Sequence, residues 1–446
     1  MKKLFVLGIA LGFLFTVTAQ DTSAKIDSLI STYNRLQKFN GTALVAKQGT
    51  VLLNKGYGYR NAANKTANDE NSIFQLGSIT KQFTAAVILK LQEEKKLSTT
   101  DKISRYLPGF PKGDSITIQQ LLTHTSGIFN YTSDSDFKSI DVSKPKTREQ
   151  MIALFKDKPL DFSPGTSWNY SNSGYSLLGY IIEEVTKTSY EQAVRKYVFT
   201  PVQMTHTGFD FIHLKDAHKT TGYILLNAKE TIPAPVVDST VAYAAGAVYA
   251  TTGDLYRWHR ALQNNSILSK AQQELAYSAV KNRYGYGWVI DSTQGKRRVG
   301  HGGAIDGFTT NLSRVPEDDI CIILLSNASD RSRDDITNSI YAILYNKEYE
   351  LPREHIAVVL PDAVMQQYTG EYEIRPGLTV TISVKDNGLA AQPTNQREKF
   401  ILPEKEDMFF DTNDDVLLQF TRNEQKQVDG FILTQRGRKT VCKKIK

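Results

Sequence analysis

Cysteine is almost absent from this 446-residue chain: only Cys321 and Cys442 occur. A dense disulfide framework is therefore excluded. Cys321 sits within Ile320–Leu325, a run that reads as a buried strand, and Cys442 lies near the C-terminus in another segment. The expectation is a buried apolar thiol at Cys321 and no disulfide. The seven histidines are scattered and no His-Glu-x-x-His occurs, which argues against a metallohydrolase; no metal and no cofactor are expected. No Gly-x-Ser-x-Gly elbow is present, which removes an α/β-hydrolase. Beyond the N-terminus no segment is long and apolar enough to cross a bilayer. Basic residues are interleaved with acids, as in Glu93-Glu94-Lys95-Lys96, and form no stripe with stacking aromatics. The net charge of +7 therefore reads as solvated surface, not as a nucleic-acid interface. There is no internal repeat and no low-complexity tract.

What is present is an ordinary globular composition, 40% hydrophobic and 10% aromatic. At roughly 150 residues per domain, the length implies two or three domains. The first twenty residues stand apart. Lys2 and Lys3 precede an apolar run from Leu4 to Val17, and Thr18-Ala19-Gln20 offers a cleavage point. This predicts a cleavable signal peptide over 1–20, hence a periplasmic or secreted protein. No Cys follows the run, so no N-terminal lipid anchor is expected. Without Lys2 and Lys3, the net charge falls from +7 to +5.

Apolar residues at Ile26, Leu29, Ile30, Tyr33 and Leu36 predict a helix over 21–39. Gly41–Lys47 and Val51–Tyr59, separated by Gln48-Gly49-Thr50, predict a hairpin. A strongly apolar helix is expected over Gln82–Leu97, and others around Ile118–Leu122, Arg148–Phe155 and Tyr175–Thr186. Val299, Phe308–Val315 and Ile320–Ser326 return to strand character. Strands at both ends of a helical middle predict an α/β sandwich over 21–347, with one mainly antiparallel sheet drawing on both ends. A linker is expected over 348–362. A small antiparallel β domain, barrel-like, is expected over 363–446, with hairpin turns at Asp386-Asn-Gly388, Asp429-Gly430 and Arg436-Gly437.

Ser-x-x-Lys occurs four times, at Ser78–Lys81, Ser135–Lys138, Ser143–Lys146 and Ser278–Lys281. Context separates them. Phe74-Gln-Leu-Gly-Ser78-Ile-Thr-Lys81 runs from a turn into the apolar helix, where free backbone N–H groups and the helix dipole favour an anion. Residues three apart share a helix face, so Lys81 can take the Ser78 proton if burial lowers its pKa. An N-cap serine followed by a solvated lysine has the same pattern. Tyr170-Ser171-Asn172 follows a turn expected at Pro164-Gly165. A tyrosine there can move protons if a nearby lysine charge lowers its pKa. His301-Gly302-Gly303 can bring a strand edge close to a ligand, with backbone N–H groups completing an oxyanion hole.

In this order, the three motifs resemble the active-site set of the class C β-lactamase and penicillin-binding-protein superfamily of serine hydrolases. Phe74–Thr84, Leu121–Gly127, Phe162–Gly179, Ala245–Asp254, Tyr284–Trp288 and Gly300–Asn327 share in the resemblance, and the C-terminal module resembles an accessory domain of some members. The resemblance implies that Ser78 is acylated, Lys81 is its base, and Tyr170 shuttles the proton to the leaving group. It further implies that His301 holds the third-motif position, that Asn172, Gly303 and Ala304 bind substrate, and that the N–H groups of Ser78 and Ala304 form the oxyanion hole. His124 falls in a segment that reads as structural. Many β-lactam-binding relatives carry Lys-Thr-Gly where this chain has His301, Gly302 and Gly303. A histidine is only partly charged near neutrality, so recognition of a substrate carboxylate weakens.

Three activities stay open: an amide or ester hydrolase, which includes D-amino-acid peptidases, carboxypeptidases and esterases; a weak β-lactamase or penicillin-binding protein; and a non-catalytic cell-envelope binding or sensing protein. The expected partner is a small-molecule, peptide or ester substrate. Nothing in the sequence defines the oligomeric state.

Overall fold

The computed structural model describes residues 21–227, 230–329, 332–411, 416–435 and 438–446. The predicted signal peptide over 1–20 and the turn predicted at Arg436-Gly437 lie outside them. Two compact units result. The first runs to Arg333 and resumes at Ile343–Lys347; the second comprises Asp334–Ala342 and Glu348–Lys446.

The first unit is built on a six-stranded antiparallel sheet of β1 (Gly41–Lys47), β2 (Thr50–Tyr57), β3 (Val289–Thr293), β4 (Lys296–Ile305), β5 (Phe308–Val315) and β6 (Ile320–Ser326), in the order β2-β1-β6-β5-β4-β3. The two ends of the unit meet where β1 pairs with β6, from Gly41 opposite Ser326 to Lys47 opposite Ile320. Burial follows this order. Every residue of β6 is buried, as its unbroken Ile-Cys-Ile-Ile-Leu-Leu run requires, whereas the edge strands β2 and β3 mix exposed with half-buried positions along most of their length.

Residues 21–35 form helix α1, which buries Ile26, Leu29, Ile30 and Tyr33. Helix α2 (Thr80–Glu93) is buried at every position from Thr80 to Leu89, its polar Thr80, Lys81, Gln82 and Thr84 included, so no side of that stretch faces solvent. It packs through Phe83 against Phe199 and Trp258, at ring-centroid distances of 5.3 and 5.2 Å. The helix ends four residues before the predicted Leu97. Lys95 turns left-handed at φ 56°, and the Lys96 N–H bonds back to Leu91 O, so Leu97 reaches the core from a loop. Helix α3 (Asn172–Thr186) starts three residues before its predicted onset, capped by the Ser171 side chain, which accepts from Gly174 N–H.

The second unit holds a closed antiparallel barrel of eight strands, from Gly370–Arg375 to Arg438–Lys444, which pair with each other to close it. Tyr368, Tyr372, Phe409, Phe420 and Phe431 fill its core. The turn at 386–387 joins strands paired at Lys385 and Gly388. Asp429-Gly430 is not a turn: both residues lie inside strand Val428–Gln435. The reversal comes earlier, where Asn423 N–H bonds to Gln427 O and Lys426 is left-handed. Cys321 and Cys442 are both buried and unbridged. Among the described residues, no helix is long and apolar enough to cross a membrane, and no cluster of three His, Cys, Asp or Glu side chains could hold a metal.

Candidate active site

Ser78 lies in a 3-10 turn, Gly77–Ile79, that runs directly into α2. Its chain neighbours Gly77 and Ile79 are buried, while Ser78 is only half-buried and so remains reachable. One turn on, Lys81 is 0% exposed. Its Nζ lies 3.0 Å from Ser78 Oγ, 2.9 Å from Asn172 Oδ1 and 2.8 Å from the carbonyl oxygen of Ala245. Burial holds the amine well below the ordinary lysine value. A neutral amine has two N–H donors and one lone pair. Asn172 Oδ1 and Ala245 O can only accept, so they take both donors, and the lone pair is left for the Ser78 hydroxyl.

Asn172 is held as tightly as the lysine it meets. Its N–H donates to Asn130 Oδ1 at 3.0 Å, and its Nδ2 donates to Thr132 Oγ1 at 3.3 Å. These bonds orient the amide with Oδ1 toward Lys81. The Tyr170 hydroxyl donates to Ser78 Oγ at 2.8 Å. Here the structure departs from the lysine-lowered phenol foreseen above. Burial raises the Tyr170 pKa, outweighing the bond to Ser78 that lowers it. The phenol is thus a neutral proton donor.

Ser78, Lys81, Tyr170 and Asn172 therefore form one hydrogen-bonded set. His301 borders that set without joining it. Its ring is centred 6.3 Å from that of Tyr170, and its nitrogens are engaged by Tyr284 OH, 2.8 Å from Nε2, and by Gly302 O, 2.5 Å from Nδ1. A carbonyl only accepts, so Nδ1 carries the hydrogen and Tyr284 donates to Nε2. Burial drives the His301 pKa down to about 3, so the third motif is uncharged at neutral pH.

Gly303 and Ala304 lie on β4 beyond Gly300, where pairing with β3 stops and the strand abuts the serine turn. A Cβ on Gly303 would sit 1.9 Å from Leu76 O. A Cβ on Gly77, whose φ is 57°, would sit 2.9 Å from Ala304 N. This contact needs glycine on both sides. It puts the Ala304 N–H beside the turn that carries the Ser78 N–H. A Cβ on Gly302 would meet Arg333 Nη1 at 2.5 Å, so a guanidinium occupies the space a side chain at 302 would take.

Three contributors had no sequence signal of their own. The Ala245 carbonyl is a backbone group; Arg333 stands in a polar stretch; Tyr284 was visible only as part of Tyr284–Trp288.

A family model described as Beta-lactamase matches residues 26–347, and one described as Domain of unknown function (DUF3471) matches residues 354–442. The chain is 30% identical over 443 residues to Penicillin-binding protein 4* of Bacillus subtilis (strain 168), covering 94% of this chain and 98% of that protein. Among solved structures, it is similar to the octameric penicillin-binding protein homologue from Pyrococcus abyssi, with a TM-score of 0.69 at 26% identity, over 94% of this chain and 99% of that one. It is also similar to a D-stereospecific amidohydrolase from Streptomyces sp., with a TM-score of 0.61 at 25% identity, over 73% and 98% of the two chains.

Proposed function

The chain belongs to the Beta-lactamase family and is a serine hydrolase of that superfamily, and from this premise we propose that it is exported and cleaves an amide or ester through an acyl-enzyme on Ser78. The observation that carries the reading is a single oxygen: Ser78 Oγ lies within hydrogen-bond reach of both the Lys81 amine and the Tyr170 phenol. The N-terminal run of Leu4 to Val17 behind Lys2 and Lys3 supports export, to a periplasmic or extracellular location.

In this reading, Lys81 Nζ takes the Ser78 proton through its lone pair as Oγ bonds to the substrate carbonyl carbon. The resulting oxyanion is received by the N–H groups of Ser78 and Ala304. When the intermediate collapses, the carbon–nitrogen or carbon–oxygen bond breaks and the Tyr170 hydroxyl protonates the leaving group. Tyr170 recovers its proton from the Lys81 ammonium directly or through a water molecule, because Oγ is acylated at this stage. A water molecule then attacks the acyl carbon, giving its proton to the Lys81 amine, which returns it to Oγ as the ester carbon–oxygen bond breaks, so the acid leaves and the Ser78 hydroxyl is restored. Asn172 holds the Lys81 amine and, with Gly303, borders the bound acyl group.

The uncharged His301 favours substrates that need no fixed cation at that position, such as D-amino-acid peptides or amides and simple esters. A second reading, a penicillin-binding protein or weak β-lactamase, is favoured by the Arg333 guanidinium beside Gly302, which offers a charge for a carboxylate. Intact-mass analysis with a penicillin, D-amino-acid peptides and short p-nitrophenyl esters separates them. The hydrolase reading expects one adduct on Ser78 with turnover of peptide or ester, and its loss in Ser78→Ala. A lasting penicillin adduct without turnover of the others selects the second reading. Labelling that survives Ser78→Ala overturns both.

A further inference from the structure

One residue grips the segment that carries Tyr170 from both sides, and the chemistry above does not use it. His124 follows the short helix Ile118–Leu122 and is left-handed, at φ 59°. Its carbonyl oxygen accepts from Asn169 N–H at 3.1 Å, and its ring Nδ1 accepts from Ser171 N–H at 3.1 Å. Residues 169 and 171 flank the tyrosine. The imidazole itself lies against the Tyr170 ring, with centroids 4.2 Å apart, and against Tyr284 at 4.5 Å. The contact continues along the chain: Thr125 O accepts from Gly165 N–H at 2.7 Å, and Gly127 O accepts from Asp161 N–H at 2.8 Å. The turn 124–127 is thus a template on which 161–171 is laid down.

We propose that His124 is a positioning residue for Tyr170, fixing the phenol on Ser78 Oγ through its grip on 169 and 171 and through ring contact. The inference rests on the reading of Tyr170 as the proton donor. The side chain suits the task. Nδ1 can accept only if the ring is neutral with its hydrogen on Nε2. Burial keeps the imidazole well below its ordinary pKa, in line with that state. Nε2 is buried and makes no hydrogen bond among the described residues, so the polar work of this ring is done by Nδ1. His124 is 1% exposed, which shields the Ser171 bond from competing water.

A double-mutant cycle tests this on the full chain, reading the second-order rate of Ser78 labelling by a D-amino-acid amide, whose amine must be protonated as it leaves. His124→Phe keeps a ring but removes the acceptor. It should slow labelling on the order of thirtyfold, because a small displacement of a reacting group is costly. In a Tyr170→Phe background, the same change should cost less than about threefold, since no hydroxyl remains to be placed. Equal slowing in both backgrounds overturns the proposal. His124→Asn puts an amide oxygen near the place of Nδ1 and tolerates the left-handed backbone, so it should recover labelling to within about fivefold of wild type. Recovery no better than with Phe counts against it. If the Phe variant does not fold, nitrogen NMR of the wild-type ring at neutral pH decides: the hydrogen should sit on Nε2, and a ring protonated at Nδ1 overturns the proposal. A Tyr170→Phe variant that labels at the wild-type rate removes the tyrosine reading and this inference with it. That outcome is distinct from an unaltered rate in His124→Phe alone, which sinks only the inference.

Discussion

Replacing Gly303 by alanine probes the contact on which the proposed oxyanion hole depends. The new Cβ would sit 1.9 Å from Leu76 O and 2.3 Å from Thr310 Oγ1. Ordinary contact begins near 3.4 Å, so the strand edge and the serine turn must part by about 1.5 Å. Leu76 O is a backbone atom and cannot swing aside. Separation also breaks the 2.6 Å bond from Thr310 Oγ1 to Leu76 O. Overpacking of this kind costs about 1–3 kcal/mol and the buried bond about 1 kcal/mol, so a loss of about 2–4 kcal/mol in unfolding free energy is expected. The kinetic effect should be larger. A donor moved by more than an ångström no longer meets the oxyanion, and loss of one such donor typically lowers kcat by about 10²–10³. Gly302→Ala is the matched control, because its Cβ meets only the end of the Arg333 side chain, which can move. It should cost less than about tenfold in rate. Denaturant unfolding and the Ser78 acylation rate are the two assays. If Gly303→Ala acylates within about threefold of wild type, or if Gly302→Ala is equally damaging, the assignment of Ala304 N–H to the oxyanion hole is wrong.

Tyr170→Phe removes only the donor to Ser78 Oγ, so acylation should fall by about 10²–10⁴ with thermal stability nearly unchanged; an unaffected rate would show that another group carries the proton. Stability should decline in acid through buried histidines. His301 and His259 titrate at about 3 and about 4 in the folded chain, below the ~6.5 of an unfolded histidine. Below ~6.5 the unfolded chain therefore binds protons that the folded chain does not, and each site withdraws up to about 1.4 kcal/mol per pH unit until its own folded value is reached. Denaturant midpoints from pH 7 to 4 should fall, and His259→Gln should flatten the slope; an unaltered slope refutes the account. Burial pushes the thiols of Cys321 and Cys442 up to about 12 and about 11, so a disulfide reagent at pH 8 should react slowly with the native chain and with two thiols after denaturation.

Strands were legible where local composition had one solution. Phe308–Val315 and Ile320–Ser326 occupy their predicted bounds; in Ile320–Ser326 the unbroken apolar run marks a central strand buried on both faces, whereas Phe308–Val315 buries Thr310, Asn311, Ser313 and Arg314 among its apolar residues. Asp429-Gly430 misled because the same dipeptide serves a tight turn or a strand interior, and pairing with Thr421 and Lys443 keeps Gly430 in the strand. Whether a lysine charge would lower the Tyr170 pKa was not legible for a related reason. Its pKa depends on how deeply it and Lys81 are buried, which spacing along the chain does not encode.

The order of motifs, the one apolar helix behind a Ser-x-x-Lys, and strands at both ends of a helical middle were contained in the amino-acid sequence, because helix and strand periodicity are local properties. What the packed chain added was the company each side chain keeps. The Ala245 carbonyl meets Lys81 across 164 residues, Tyr170 meets Ser78 across 92, and Arg333 stands over Gly302. Proton affinity and hydrogen-bond direction come from such neighbours and from the exclusion of water around them, so only the folded chain decided that the lysine and histidine pKa values fall and that of the phenol rises.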